Sequence, residues 1–372
     1  MSVEIYRISS PSDLLKFIKF PFSLYKDNQF WCPPLIFDEI NTLGIKNPAF
    51  EYCEAEYWLA LRDGKVVGRV AGIINPRANT RWGEELVRFG WIDFIDDFEV
   101  SAALIGTVKA WGKSKGMSGI HGPLGFTDMD PEGMLVEGFN EVASLAAIYN
   151  YPYYPEHMVK LGFGKAADWL HFDIVVPPEV PEKIVRSAKI VREKYKLRVL
   201  EAKSAKDFMP YTKKMFRMLN EAFDELYGYA ALSDKQIELF IKQYFGFIRK
   251  EFVSLVIDEN DDVVAFGVTI PDLARALQKA KGRLFPFGFL HILKALKKND
   301  TIHMYLVGVR PDYQGKGALA LVYEHLTDAY IRHGITRATT HAQLEDNHKA
   351  ISIWKNYEGR VYCRRRCWIE EI

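Results

Sequence analysis

The residues with the clearest chemical potential form a glycine-rich turn, VGVRPDYQGKGALAL, at residues 307–321. A strand of β-branched residues enters the turn and a helix follows it, while Gly315 and Gly317 remove side chains where a ligand would approach the main chain. The unpaired amides at the helix start and the Lys316 ammonium both favour an anion. The spacing fits neither a GxxxxGK[ST] loop nor a GxGxxG loop. We therefore expect a diphosphate cradle, the alternative being a strand–helix connection without a ligand.

This turn resembles motif A of the GNAT superfamily (Gcn5-related N-acetyltransferases), whose signature Q/R-x-x-G-x-G/A holds the pyrophosphate of acyl-CoA. Leu319 stands where that family prefers Gly or Ala. A later segment, DNHKAISIWKNYEGRVY, is similar to the family pattern N-x-x-A-x-x-x-Y-x-x-x-G, with Trp354 at the Tyr position. The resemblance implies that acyl-CoA or coenzyme A, as co-substrate, is bound by Val307, Val309, Gln314, Gly315, Lys316, Gly317, Ala318 and Asn347.

The resemblance also implies where acyl transfer would occur. In the family the strand before the loop splays and a backbone amide polarises the thioester carbonyl, which points to residues 307–309, where Gly308 permits close approach. Strand alternation puts His303 on one face with Tyr305, and His341 lies on the next strand. Each histidine is a candidate general base because its ordinary pKa is near 6.5. Transfer without a base, and purely structural histidines, are the alternatives.

Two groups of residues are candidates for binding the acceptor. Asn220, Tyr227 and Tyr229 follow the first helix of the second half, where the family places its acceptor-covering loop; surface packing is the alternative. Asp128 and Asp130, in GFTDMDPEGMLVEGF, would suit a cationic amine, although carboxylates at such positions also cap helices.

The chain divides most naturally at FDIVVPPEVPEKIV, because its prolines cannot join a β-ladder. The two halves, residues 1–178 and 179–372, repeat the same order of elements, including a hairpin, a strand–helix unit and a final strand. We expect an α/β protein with two tandem GNAT-like domains, each with a mixed, mostly antiparallel sheet flanked by helices. The first half has no glycine-rich turn and is expected not to bind coenzyme A. Segments 134–150 and 348–357 are predicted to be helical.

An insertion at residues 273–299 interrupts the second half. It contains seven Lys or Arg and no acidic residue, and its second part is rich in Phe and Leu. Clustered basic and aromatic residues are typical of an interface with anionic lipid. The segment could instead roof a pocket for a long acyl chain, or form a packed helical hairpin.

Composition limits the remaining possibilities. The 372 residues contain 49 Lys+Arg and 48 Asp+Glu, so no overall charge favours nucleic acid. The four cysteines are too few and scattered for a disulfide scaffold, and no metal site is expected. Without a signal sequence or a long apolar run, the protein is predicted to be cytoplasmic, with peripheral contact at the inner membrane surface through 273–299.

Together these observations predict an acyl-CoA-dependent N-acyltransferase that acts on an amine, either a small molecule or a lipid amine. Two alternatives remain at this point. One is an aminoacyl transferase of the peptidoglycan type, which takes its acyl group from tRNA and does not need the loop. The other is a non-catalytic module that binds coenzyme A.

Overall fold

A computed structural model describes residues 2–372. The first part of the chain forms the elements β1 (Glu4–Arg7), α1 (Pro11–Leu24), α2 (Ile36–Leu43), β2 (Glu54–Arg62), β3 (Lys65–Ile74), α3 (Pro76–Trp82), β4 (Leu86–Phe94), α4 (Phe98–Ser114), β5 (Gly119–Gly122), β6 (Met134–Glu137), α5 (Tyr153–Lys160) and β7 (Gly164–Val175). The remainder forms α6 (Glu182–Tyr195), β8 (Arg198–Val199), α7 (Met209–Phe223), α8 (Asp234–Tyr244), β9 (Val253–Ile257), β10 (Val263–Pro271), α9 (Ala274–Ala280), α10 (Gly288–Lys297), β11 (Thr301–Val309), α11 (Leu319–Arg332), β12 (Arg337–Thr340), β13 (Gln343–Leu344), α12 (His348–Ile351) and β14 (Gly359–Glu371).

The chain forms two compact units that are not continuous in sequence. The first unit contains Met1–Leu170, Leu273–Leu293 and Cys363–Ile372, and the second contains His171–Asp272 and Lys294–Tyr362. The boundary expected at 178/179 therefore falls inside the second unit. Most of the insertion, and the last ten residues of the chain, belong to the first unit.

The first unit is built on a sheet with the order β1-β2-β3-β4-β5, followed by the end of β14. Its strands are antiparallel except for the pair β4–β5. Side chains that alternate along β3 enter separate cores: Val70 packs with residues of α4, whereas Ala71 and Ile73 pack with Phe17 of α1. The strands are consequently apolar on both faces, as expected for a sheet covered on both sides.

The second unit has the order β12-β11-β10-β9-β8, and the end of β7 pairs with β12. Here too one pair is parallel, β11–β12, and the others are antiparallel. Helix α11 lies close to the sheet at Gly267, where a Cβ would come within 2.7 Å of Val322. In the first unit, α4 approaches β3 at Gly68 in the same way, with Leu104 2.8 Å from the corresponding position. The matching close approaches confirm the duplicated α/β architecture with mixed, mostly antiparallel sheets.

One of two helix predictions was wrong. In residues 134–150 the structure has the short strand β6 followed by turns, because the Asn150 side chain hydrogen-bonds both the amide and the carbonyl of Leu135 (2.7 and 3.0 Å). These bonds, with the ladder to β14, outweigh the local helical pattern. The prediction for residues 348–357 was largely confirmed, since α12 is followed directly by a 3₁₀ helix at Ser352–Asn356. Among residues 2–372, no helix has the length and apolarity that crossing a bilayer requires.

Candidate active site

The glycine-rich turn between β11 and α11 forms an open backbone loop. Gly315 and Gly317 have φ angles of +72° and +82°, a region that glycine adopts without strain. A Cβ at Gly315 would meet no heavy atom within 4 Å, and residues 314–317 are exposed. Leu319, which departs from the family preference, is the first residue of α11 and does not prevent the turn from forming.

The amides of this loop are available to a ligand. The Lys316 amide donates to the Tyr313 carbonyl (3.1 Å), and the helix begins with Ala320 donating to Gly317 (2.9 Å). Within residues 2–372, the amides of Gly315, Gly317, Ala318 and Leu319 donate to no protein acceptor. Neither side chains nor other backbone groups therefore occupy the positive end of α11, which is the arrangement that binds phosphate groups.

Basic and aromatic side chains border the loop. The Lys316 ammonium lies 5.1 Å from the ring centre of Tyr313 and 5.7 Å from that of Tyr195, and the two rings meet edge to face. Arg310 is held by Asp312 through two hydrogen bonds of 2.7 and 3.1 Å. These bonds lower the pKa of the Asp312 carboxyl, so it stays ionised. Lys316 has no such carboxylate partner among the described residues and is the cation best placed to neutralise a phosphate.

The strand leading to the loop separates from its neighbour. The parallel ladder between β11 and β12 runs from Thr301 opposite Arg337 to Met304 opposite Thr340. Beyond Met304, the ladder among the described residues continues only toward β10, as far as Val309. A register shift at this point leaves Tyr305 as a bulge. β11 therefore pairs with β12 only as far as Met304, whereas residues 306–309 pair with β10 alone.

Histidine and tyrosine side chains cluster where the two strands separate. Tyr305 stacks on His341 with ring centres 5.9 Å apart, and His303 lies 6.0 Å from His341 at nearly a right angle. The ring centre of His171, in β7, lies 6.2 Å from that of His341. The ring centre of Tyr244 in α8 lies 5.9 Å from that of Tyr305. The cluster thus combines side chains of β7, β11 and α8 with that of His341, the residue after β12, all in the second unit.

His303 is almost completely buried. Its Nδ1 lies 3.0 Å from the Thr339 hydroxyl, and its Nε2 forms no hydrogen bond with any residue in 2–372. Burial, together with the nearby His341, lowers the pKa of His303 to about 3. His303 is therefore neutral at physiological pH and is a weak base. His341 is half-buried, which gives it better access to a substrate.

Sequence reasoning missed His171. Its Nδ1 is 3.2 Å from the Thr340 carbonyl oxygen, which can only accept a hydrogen bond. Nδ1 therefore carries the proton of the neutral ring, and Nε2 carries the lone pair. The local signal was its position in the alternating strand HFDIVV. Nothing local could show that β7 pairs with β12, because the partners are more than 160 residues apart in the chain.

The strand residues predicted to polarise a thioester have mixed surroundings. Val307 and Val309 are half-buried on the part of β11 that pairs only with β10. Gly308 is buried, and a Cβ there would lie 2.9 Å from Phe266 and 3.4 Å from Met218. Packing against Phe266 is thus sufficient reason for a glycine at 308. A role for its backbone in catalysis stays a prediction.

The second family-like segment is held by internal contacts. Asn347 caps α12, since its side chain accepts from the Ala350 amide at 3.2 Å. The Trp354 indole donates to Gln343 at 2.8 Å, and the Tyr357 hydroxyl lies 3.2 Å from Thr327. Contact of Asn347 with coenzyme A stays a prediction. The structure gives both Trp354 and Tyr357 hydrogen bonds that tie this segment to its own unit.

The residues near α7 that are predicted to bind the acceptor also stabilise the loop after α7 through hydrogen bonds. Asn220 accepts hydrogen bonds from the Tyr229 hydroxyl (2.6 Å) and the Leu232 amide (2.9 Å), and donates to the Leu232 carbonyl (3.0 Å). Tyr229 is buried, whereas Tyr227 is partly exposed. Of the three, Tyr227 is the one with surface available to a substrate.

Asp128 and Asp130 lie in the first unit, beside Arg88 of β4. Asp130 accepts from the Thr127 amide at 3.0 Å, and Arg88 donates to the Gly125 carbonyl at 3.0 Å. Burial raises the pKa of Asp130 to about 6 and also raises the pKa of Asp128, while Arg88 opposes both changes. Their role in binding an acceptor stays a prediction.

The helix of the first unit that corresponds to α11 has no open cradle. Asp97 caps α4 by accepting from the Glu99 amide at 2.9 Å, and Arg62 pairs with both carboxylates. Carboxylates therefore occupy the place that phosphate groups would need.

Comparisons with known proteins agree with this geometry. Residues 213–357 match the model of the acetyltransferase (GNAT) family. This range contains β11, the open loop and α11, and lies wholly in the second half. Residues 213–357 are therefore a GNAT domain within the longer chain.

The similarity to individual proteins extends over nearly the whole chain. Protein YghO of Escherichia coli is 29% identical over 372 residues, covering 97% of this chain and 93% of the relative. The bacterial ceramide synthase of Caulobacter vibrioides is 24% identical, covering 97% and 95%.

Solved structures show the same fold. A tandem GNAT protein from the clavulanic acid biosynthesis pathway superimposes with a TM-score of 0.58 at 12% identity, covering 100% of this chain and 98% of its own. A GCN5-related N-acetyltransferase from Sphaerobacter thermophilus gives 0.51 at 13% identity, covering 99% and 95%. The tandem GNAT fold expected from the sequence is confirmed.

Proposed function

We propose that this protein uses acyl-CoA to acylate the nitrogen of a long-chain amine. The observation that carries the proposal is the open loop at the start of α11, which offers unused amides and Lys316 beside the separated strands β11 and β12. A diphosphate on the loop would leave an extended carrier arm free to follow residues 305–309 toward the histidine cluster. His303 and the loop-side end of β11 at Val309 are six residues apart, or roughly 20 Å at ~3.3 Å per residue.

The chemistry requires a neutral amine to attack the thioester carbonyl. The new C–N bond replaces the C–S bond, coenzyme A leaves as a thiolate, and the nitrogen loses a proton. Free main-chain amides on the unpaired side of β11 would stabilise the developing oxyanion. His341 is the best placed proton acceptor, because its side chain is more accessible than that of His303. The amine proton would reach His341, and the thiolate would leave without a dedicated acid.

The choice of acceptor rests on a relative. A protein that is 24% identical over nearly the full length bears the name bacterial ceramide synthase, and a ceramide is the amide of a long-chain amine. The aromatic side chains around the strand opening, including Tyr305 and Tyr244, would also suit an apolar substrate.

The proposal is tested with purified protein, a series of acyl-CoA chain lengths and a panel of amines that includes a long-chain base. We expect thiol release that depends on the amine, and an amide product identified by mass spectrometry. His341→Gln should lower kcat by about 10²–10⁴-fold if this side chain is the base. His333→Gln is the matched control, because His333 hydrogen-bonds its own helix at Ala329.

Two results would reject the proposal. Binding of coenzyme A without thiol release for any amine would favour the non-catalytic module. Failure to bind any acyl-CoA would instead favour a transferase with another acyl donor.

A further inference from the structure

The segment between β10 and β11 presents large apolar side chains to solvent. Phe285 and Phe287 are 77% and 70% exposed, and Leu290 and Leu293 of α10 are more than half exposed. We call these four residues the apolar tip. Side chains of this kind at such exposure are unusual, because burial of each would be worth about 1.5–3 kcal/mol.

The base of the segment is firmly attached within the first unit. Gln278 of α9 donates to the carbonyls of Gln29 and Trp31, both at 2.9 Å. The Gly282 carbonyl accepts from the Ile36 amide at 3.0 Å, and a Cβ at Gly282 would overlap the Phe22 ring at 2.5 Å. The apolar tip therefore extends from an ordered support.

A neighbouring element adds to this exposed apolar area. Helix α2 begins at Ile36, whose amide is bonded to Gly282, and its exposed side chains include Phe37 and Ile40. Ile45, just after the helix, is 79% exposed. Two connected elements of the first unit thus expose bulky apolar side chains.

Positive charge accompanies these side chains. Lys281 and Arg283 precede the apolar tip and are exposed, while Lys294 and Lys297 lie on α10 within one turn of Leu290 or Leu293. Residues 273–299 contain seven basic residues and no acid, in a chain whose overall charge is only +1. The basic charge is concentrated where the apolar side chains are exposed.

We propose that the apolar tip, with its flanking lysines and arginine, docks onto the face of a bilayer that contains anionic lipid. Phenylalanine and leucine would enter the boundary between headgroups and acyl chains, and the cations would pair with lipid phosphates. Helix α10 has ten residues and a length of about 15 Å, half of the ~30 Å of the hydrocarbon core, so it would lie at the surface. A second copy of this chain is the poorer partner, because like charges would face each other.

This surface deepens the proposed function, because a long-chain amine and a long acyl chain would both be found at the membrane. Only this biological purpose, and not the binding to lipid, rests on the proposed function. Its existence can be tested without turnover. Flotation with phosphatidylcholine vesicles, with and without about one-third phosphatidylglycerol, should show binding only to the anionic vesicles. Binding to the anionic vesicles should weaken at least tenfold between 0.1 and 0.5 M salt, because salt screens the contacts between lysine and lipid phosphate. The loss of a single such contact weakens binding roughly fivefold.

Substitutions separate the apolar and charged contributions. The double variant Phe285→Ser/Phe287→Ser and the double variant Lys294→Gln/Lys297→Gln should each weaken vesicle binding by tenfold or more. Val159→Ser/Ile190→Ser is the matched control, because these side chains are 63% and 56% exposed on other helices, and it should bind like the wild type. None of these changes should alter turnover of a soluble short-chain amine.

Equal binding to neutral and anionic vesicles, or equal binding by all variants, would overturn the proposal. A wild type that sediments as a dimer, and becomes monomeric in the Phe285→Ser/Phe287→Ser variant, would assign the apolar tip to self-association instead. Acylation without any vesicle binding would reject this surface alone, whereas vesicle binding without acylation would reject the proposed function alone.

Discussion

Replacing Gly315 by alanine should damage the phosphate loop far more than the fold. Gly315 has φ +72° and open space around its Cβ position, so the substitution adds no collision but strains the backbone. A left-handed conformation costs a non-glycine residue about 1–2 kcal/mol. The loop can relieve this strain only by turning its free amides away from a common point. Since 1.4 kcal/mol is a factor of ten, the Kd for acyl-CoA should rise about five- to thirtyfold.

Gly334 provides a matched control at the other end of α11. It has φ +69°, and a Cβ there would likewise meet nothing within 4 Å. Gly334→Ala should lose a similar 1–2 kcal/mol of unfolding free energy by urea denaturation, with an unchanged Kd by calorimetry. If Gly315→Ala and Gly334→Ala lower stability alike and bind acyl-CoA equally well, the inference that the loop amides hold the ligand is refuted.

Three further predictions concern the side chains around the site. His303 has a pKa of about 3 in the folded state and about 6.5 when unfolded, so the unfolded chain binds more protons between these values and the free energy of unfolding should fall as pH drops below about 6.5. In urea melts from pH 7 to 5, His303→Gln should show a shallower fall than the wild type. An unchanged slope would contradict the burial argument. Trp354→Phe removes the 2.8 Å hydrogen bond to Gln343 and should cost about 1–2 kcal/mol of unfolding free energy, while kcat changes less than threefold. A large loss of kcat with a shifted pH profile would instead show that the indole takes part in the chemistry. Asn220→Ala removes three hydrogen bonds, including the one from Tyr229, and should lower the free energy of unfolding by about 1–3 kcal/mol. If the adjacent loop covers the acceptor, the KM for the amine should rise while the KM for acyl-CoA stays constant. The reverse pattern would exclude that role.

Local patterns in the sequence were sufficient for elements whose hydrogen bonds are local. The hairpin β2–β3 turns at Asp63 and Gly64, both with positive φ, as the dipeptide predicts. The glycine-rich turn was equally clear, because the strand before it and the helix after it are neighbours in sequence.

Elements decided by distant partners could not be predicted in this way. Residues 134–150 follow the Asn150 side chain and the ladder to β14 rather than their helical spacing. The last residues of the chain pair with β5, as Trp368 does opposite Gly122, so the compact units do not follow the linear halves. His171 joined the histidine cluster for the same reason. The alternating pattern defined its strand, but the register with β12 is set by tertiary packing.

The most direct test of the central claim is to observe the loop amides themselves. In a chain labelled with ¹⁵N-glycine, addition of coenzyme A should shift the resonances of Gly315 and Gly317, assigned by substitution, and leave Gly334 in place. Pantetheine, which lacks the diphosphate, should leave all three unchanged. The account would be contradicted if coenzyme A bound while the Gly315 and Gly317 resonances did not move, or if pantetheine moved them as much as coenzyme A does.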